Sequence, residues 1–216
     1  MFNSKQTLST ARVRENRPYH LAFNYFQKIG PVKLRRLQGF FPDLKTAFHA
    51  PTYYLARAGL AAPLVDEFVR WRKTEAWQKA TAELAREKID FITWDENVYP
   101  PLLLELPAPP PLIYYRGLWP KEPKTKTWRL AVVGSRRHSA YADKIIDELL
   151  PPVVKAGLEI ISGLASGVDA LAHQAALRAE GKTLAVLGSG LAANKIYPRQ
   201  NQGLAEEIIV KGGLLL

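Results

Sequence analysis

Arg136 and Arg137 follow a lone glycine, Gly134, by two and three positions at the end of the apolar run "LAVV". A guanidinium stays charged at any physiological pH, and its planar fork matches phosphate oxygens. Backbone N–H groups left free at the start of a following helix would act on the same anion. The pattern therefore points to a phosphate-bearing ligand. A dinucleotide site needs G-x-G-x-x-G here, but Ser135, Arg136, Arg137 and His138 follow the single glycine. Nor does an acid end the next strand, where a ribose hydroxyl would be held; Ser162 and Gly163 stand there. No nicotinamide, flavin or other cofactor is expected. A polynucleotide backbone crossing an open crevice suits one glycine and two guanidiniums better. The competing reading for both arginines is an ion pair with a surface carboxylate such as Asp143.

Two further loops have a similar composition, "SGLASGVD" (162–169) and "GSGLAANKIYP" (188–198). In the second, Ser162, Gly163 and Gly167 present small side chains and backbone N–H groups. Lys195, Tyr197 and Arg199 flank the third, combining cations with one aromatic platform, a combination that suits single-stranded nucleic acid. Tyr197 beside Pro198 reads equally as a loop anchor. Asp169 and His173 stand four apart on one helix face, but without cysteine or a third ligand at useful spacing no metal is expected. Ser166 with Asp169 three residues on reads as a capping box, so structural duty is expected of the Asp169–His173 pair. "GKT" (181–183) precedes a strand and has Ala176 where a phosphate loop needs glycine, so it reads as a helix end. No nucleotide hydrolysis is expected.

The elements that must position these loops are visible from residue 128 onward. "WRLAVVG", "EIISG" and "TLAVLG" read as strands, and the segments beginning "AYADKII", "VDALAHQ" and "QNQGLAE" read as amphipathic helices. Apolar strands alternating with such helices predict a doubly wound parallel sheet, whose ligand crevice lies beyond the strands' carboxyl ends. "GLLL" begins a fourth strand in which the chain ends, so the domain at 128–216 is expected to be incomplete.

Upstream, residues 18–88 have a helical pattern. Leu21, Tyr25 and Ile29 lie at spacing four, widened by Phe23 and Phe26. Gly30 breaks the run and Pro31 suits the first position of the next helix. A long helix is predicted from Pro63 to about Lys88, with Leu64, Phe68, Trp71, Trp77 and Leu84 in the core. Residues 89–127 read as a connector with short strands "FITW" and "PLIYY", stiffened by six prolines between 100 and 111. "PKEPKTKT" (120–127) reads as an exposed loop, and residues 1–17 as a flexible basic terminus.

The net charge is +10. Residues 1–128 hold 20 Lys+Arg against 12 Asp+Glu, and residues 129–216 hold 10 against 8. Such a balance attracts polyanions. The absence of cysteine excludes disulfides, thiolate metal sites and cysteine nucleophiles. No apolar run approaches the ~20 residues that span a bilayer, and the N-terminus lacks a signal-peptide core, so a cytoplasmic protein without membrane contact is expected.

"AVVGSRRHSAYA", "EIISGLASGVDALAHQAAL", "TLAVLGSGL" and "IYPRQNQGLAEEI" resemble the successive motifs of the DprA/Smf family, the DNA-processing proteins of bacterial transformation. "WDENVYPPLLLELPAPPPLIYYRG" is similar to the segment leading into that family's Rossmann-like domain, and residues 18–88 resemble its SAM-like or helix-hairpin-helix domain. The resemblance implies a non-enzymatic protein that binds and protects incoming single-stranded DNA and helps load the RecA recombinase. The Gly134–Ser135–Arg136 turn matches the family's DNA-contacting motif, and Lys195 or Arg199 lies where the family also places positive charge. Two departures stand out. Lys28 replaces the first glycine of the Gly-x-Gly expected of a DNA-binding hairpin. The family's fold also continues past the equivalent of Leu216, and its homodimer contacts lie largely in that stretch. Two other classes compete with this reading. Nucleotide phosphoribohydrolases need a triple-glycine turn and a Pro-Gly-Gly-x-Gly-Thr loop that these residues lack, and a basic adaptor would bind partners through the helical region alone.

Overall fold

A computed structural model describes residues 10–74, 76–120 and 127–216. The chain divides into two units, one comprising residues up to Arg86 with Phe91–Ile113, the other Glu87–Asp90 with Tyr114–Leu216.

The first unit contains helices α1 (Thr10–Tyr25), α2 (Pro31–Phe40), α3 (Leu44–His49), α4 (Thr52–Arg57), α5 (Ala62–Trp71) and α6 (Ala76–Arg86), most of strand β1 (Asp90–Thr93), and the short helix α7 (Pro101–Leu104). Its centre is aromatic. Phe23 stacks on Phe68 at 5.2 Å between ring centroids, and Phe48 meets both edge-on at 5.8 and 5.5 Å. Pro31 occupies the start of α2, as the break at Gly30 predicts. Asp43 caps α3 by accepting Thr46 N–H at 2.6 Å, which holds its carboxyl below the usual carboxylate range.

Three helical expectations are corrected. Residues 10–17, assigned from sequence to a flexible terminus, are the first half of α1, which continues through Pro18; residues 1–9 lie outside the described residues. The reason is tertiary. Buried Asn16 accepts Leu44 N–H at 2.9 Å through Oδ1, and the Arg17 guanidinium donates to Phe91 O while lying 4.1 Å from that ring's centroid. Tyr25 is 45% exposed and leaves the predicted apolar stripe, because α1 ends there and Ile29 is buried from the following loop. The single helix predicted from 63 to 88 is two helices. Arg72 donates to Phe48 O at 2.5 Å and Ala50 O at 3.0 Å, and Thr74 Oγ1 closes the end of α5 on Trp71 O at 2.8 Å. Phe68 and Val65 are buried there, whereas Leu64, Trp71, Trp77 and Leu84 are half-buried.

The proline-rich stretch, read from sequence as a stiff connector, packs as part of the helical unit. Tyr99 Oη donates to Pro110 O at 2.8 Å, and Asp95 bonds His20 Nε2 at 2.8 Å and Gln38 Nε2 at 3.0 Å. Residues 91–113 therefore belong with the helices, whereas most of the predicted 120–127 loop lies outside the described residues.

The second unit is built on most of β2 (Leu112–Gly117), with β3 (Arg129–Ala131), α8 (Ala140–Lys155), β4 (Glu159–Ser162), α9 (Val168–Arg178), β5 (Thr183–Ala185), α10 (Gln202–Val210) and β6 (Leu214–Leu215), and single 3₁₀ turns at Ala193–Lys195 and Arg199–Asn201. The strands lie in the order β2-β6-β5-β4-β3. β3 to β6 are parallel, with Leu130, Ile160 and Thr183 in register. β2 runs antiparallel on β6, so the sheet is mixed. Arg116 on β2 fixes this edge through a two-pronged bond to Glu206 of α10, 2.9 Å in each arm.

Each crossover from β3 to β6 moves one place in the same direction, so the described strands contain no reversal of order. The described residues thus show one winding of the parallel sheet, with α8, α9 and α10 on one face. Leu130, Ile160, Ala185 and Leu215 carry the core, under Ile146 and Leu150 of α8, Ala172 and Ala176 of α9, and Leu204 and Ile208 of α10. On the opposite face Ala131, Val133 and Val186 are exposed. No helix among the described residues is long and apolar enough to cross a membrane.

Candidate functional site

The three loops at the carboxyl ends of β3, β4 and β5 meet at one cleft. The first two are interlocked by glycines. A Cβ on Gly134 would lie 2.8 Å from the Val168 side chain, and one on Gly167 would lie 2.2 Å from Ser135 O. Gly167 also has φ +81°, a conformation that side-chain-bearing residues rarely adopt. This close approach lets Val168 N–H donate to Ser135 O at 3.1 Å, joining the first loop to the start of α9. Ser135 Oγ then donates to Arg137 O at 2.6 Å and accepts Arg137 N–H at 3.1 Å. The backbone beneath Arg136 is set by that turn. Arg136 and Arg137 are exposed, and neither guanidinium is ion-paired among the described residues. Asp143, the candidate partner from sequence, instead takes His138 Nε2 at 3.1 Å.

The second loop has used its own donors. Asp169 is buried, and its Oδ2 accepts Gly163 N–H at 3.1 Å and Ala165 N–H at 3.4 Å. The anion expected from a ligand is supplied here by the protein. Ser166 is not a helix cap; Gly167 holds that position, and Ser166 Oγ accepts Gln200 Nε2–H at 3.0 Å. Ser162, read from sequence as a DNA contact, is buried and donates its hydroxyl to Val132 O at 2.6 Å, tying β4 to the end of β3. Its side chain does not reach the cleft. Asn201 clamps the loop from the other side, donating to Leu164 O at 2.9 Å and Ala165 O at 3.2 Å. Below it, His173 Nδ1 lies 2.7 Å from Thr183 Oγ1, whose hydroxyl donates to Ile160 O at 2.8 Å. Burial pushes the imidazole pKa down to about 4 against the opposing charge of Asp169, so His173 is a neutral tie between α9 and the sheet.

The third loop alternates outward and inward. Lys195, Tyr197 and Arg199 are exposed, whereas Ile196 is buried and is the anchor, a role sequence had also offered to Tyr197. Tyr197 N–H donates to Ser189 Oγ at 3.2 Å, and the ring is 71% exposed beside a cis Tyr197–Pro198 bond.

Arg136, Gly163, Ala165, Ser166, Gly188, Ser189, Tyr197 and Pro198 line an open cleft of about 210 Å³. Of the residues proposed from sequence, Arg136, Gly163 and Tyr197 share this lining. Arg137, Lys195 and Arg199 lie outside it on the same loops, and Gly134, Ser135 and Gly167 build the turn that carries Arg136. Sequence reasoning passed over Ser166, Ser189 and Pro198 as lining residues; the Gly-Ser-Gly at 188–190 was the available signal for Ser189. One guanidinium, two serine hydroxyls and an exposed phenol ring, with no acid in the lining, form a surface for holding an anion beside a planar group. Among the described residues no cluster of three His, Asp or Glu has the arrangement to hold a metal ion.

The family model for DNA recombination-mediator protein A matches residues 90–216, from β1 through all three loops to β6. Protein Smf of Synechocystis sp. is 35% identical over 199 residues, covering 91% of this chain and 50% of that protein. Protein Smf of Escherichia coli is 32% identical over 168 residues, covering 78% and 43%. The chain thus spans about half the length of the curated relatives it matches. The X-ray structure of DNA processing protein A from Streptococcus pneumoniae matches with a TM-score of 0.67 at 25% identity, covering 92% of this chain and 66% of that one. With this sequence similarity extending through the loops that build the cleft, the chain belongs to the DNA recombination-mediator protein A family, that of the DprA and Smf proteins.

Proposed function

We propose that this chain binds single-stranded DNA along the strand-end cleft, with little sequence preference and in preference to duplex. The observation that carries this reading is the Arg136 guanidinium, without an ion pair among the described residues, sharing one open cleft with the exposed Tyr197 ring. A charge-assisted bond to phosphate is worth about 1.5–3 kcal/mol, and stacking of a base on an aromatic ring about 1–3 kcal/mol. Neither interaction depends on base identity, and an unstacked base is available only in a single strand. Arg137, Lys195 and Arg199 extend the positive field around the cleft. In this reading the helical unit is of the SAM-like or helix-hairpin-helix kind and the sheet unit is Rossmann-like. In this reading the role is non-enzymatic. Family membership supports the wider assignment: protection of incoming DNA and help in loading the RecA recombinase during natural transformation.

Filter binding of single-stranded and duplex oligonucleotides tests the proposal. Single strands should bind more tightly, with a log–log salt slope of about −0.7 per neutralised phosphate. Salt-independent binding, or tighter binding of duplex, contradicts it. A nucleotide-release assay should show no turnover; measurable release would favour the phosphoribohydrolase class.

A further inference from the structure

We infer a second single-strand contact on the helical unit, formed by Tyr53, Tyr54 and Arg57 of α4 with Arg36 of α2; it rests on the proposed single-strand binding. The core requirement of α4 is met by Leu55, the only buried residue of that helix. Tyr53 and Tyr54 are 63% and 47% exposed, so their rings do not serve the core. The two rings meet edge-on at 5.3 Å between centroids, and the Arg57 guanidinium lies 5.8 Å from the centre of Tyr53. Arg36 lies against the turn that follows α4: a Cβ on Gly59, two residues after Arg57, would sit 3.9 Å from both Arg36 Cδ and Nη1.

The surrounding charge identifies the occupant. Between residues 16 and 65 there are seven Lys+Arg and one acid, Asp43. Asp43 is taken up as the cap of α3. Arg17 and Lys28 are paired with Glu96 and Glu67, Lys33 donates to Lys28 O, and Arg35 lies over Trp94. Arg36 and Arg57 have no ion pair among the described residues. On the neighbouring α5 the acids are Asp66 and Glu67, and Glu67 already holds Lys28. Two exposed rings with two uncompensated guanidiniums match a polyanion whose bases can be splayed onto aromatic faces. The predicted hairpin at Lys28–Lys33 plays no part in this, since both lysines are engaged within the unit.

The test uses the full chain and a bromodeoxyuridine-substituted single strand. Ultraviolet cross-links should map by mass spectrometry to Tyr53 or Tyr54 as well as to Tyr197. The double variant Tyr53→Ala/Tyr54→Ala should bind single strands about tenfold more weakly, and Tyr53→Phe/Tyr54→Phe should bind like the parent. Arg36→Ala/Arg57→Ala should reduce the salt slope by about 1.4, two phosphates' worth. Cross-links confined to Tyr197, with parental affinity in the alanine variant, overturn the second contact and leave the cleft standing. Parental DNA affinity in an alanine variant that has lost binding to an acidic protein also overturns it, assigning the patch to a protein partner. No single-strand binding by the parent chain removes both readings.

Discussion

The first strand-end loop, residues 134–139, and the second, residues 162–169, interlock through Gly134 and Gly167 but differ in how their polar groups are used. In the second loop Asp169 fills the place of an external anion, and Asn201 secures two of its carbonyls. In the first, the Ser135 turn organises the backbone while Arg136 and Arg137 remain unpaired among the described residues. A buried carboxylate bonded to its own loop is part of the fold. An exposed guanidinium on a rigid turn is free to act on a ligand. Disturbing the second loop should therefore cost stability, and disturbing the first should cost binding.

The largest expected effect is on the joint between them. Gly167→Ala forces a side chain to 2.2 Å from Ser135 O at φ +81°, and should lower unfolding free energy by about 3 kcal/mol or more in a urea titration. Gly188→Ala sharpens the contrast. A Cβ there meets nothing within 4 Å, and stability should stay within about 0.5 kcal/mol of the parent.

Asp169→Ala should follow in size. It leaves the Gly163 and Ala165 N–H groups without their acceptor, at about 1–3 kcal/mol for each group left unsatisfied. Asp169→Asn keeps one acceptor oxygen and should recover part of that loss. If both variants melt like the parent but lose DNA, the second loop is a binding element and the comparison fails.

His173 gives the comparison a pH dependence. Its folded pKa of about 4 lies below the ordinary histidine value, so the fold favours the neutral form. The associated stability is fully present above about pH 6.5 and is lost as pH falls through 4, a change of about 3 kcal/mol. In a His173→Gln variant the melting temperature should vary less with pH over that window. An unaltered pH profile would show that His173 is not the titrating group.

Much of this division was invisible in the sequence for physical reasons. The positions of the three loops were legible because glycine follows each apolar strand, and the helices between them carried clear apolar faces. Apolar strands do not disclose on which side their helices lie, so the single winding of β3 to β6 was not legible. The same holds for Asp169, whose backbone N–H donors lie six and four residues back in a loop of unknown shape. The break between α5 and α6 depends on Arg72 reaching Phe48 O and Ala50 O, and the early start of α1 on Asn16 reaching Leu44 N–H. These are partners more than twenty residues away, which local periodicity does not report.

The smallest structural effect should belong to the residue with the largest proposed role in binding, and its substitution is the most direct measurement. Arg136→Ala should leave the thermal melt of the parent unchanged, because the guanidinium has no partner to lose among the described residues. Single-strand affinity should fall about tenfold to hundredfold, corresponding to one charge-assisted phosphate bond of about 1.5–3 kcal/mol. Lys33→Ala, whose ammonium donates to Lys28 O, should weaken binding much less. Parental affinity in Arg136→Ala, or an early melt that accounts for the loss, would contradict the cleft as the DNA site.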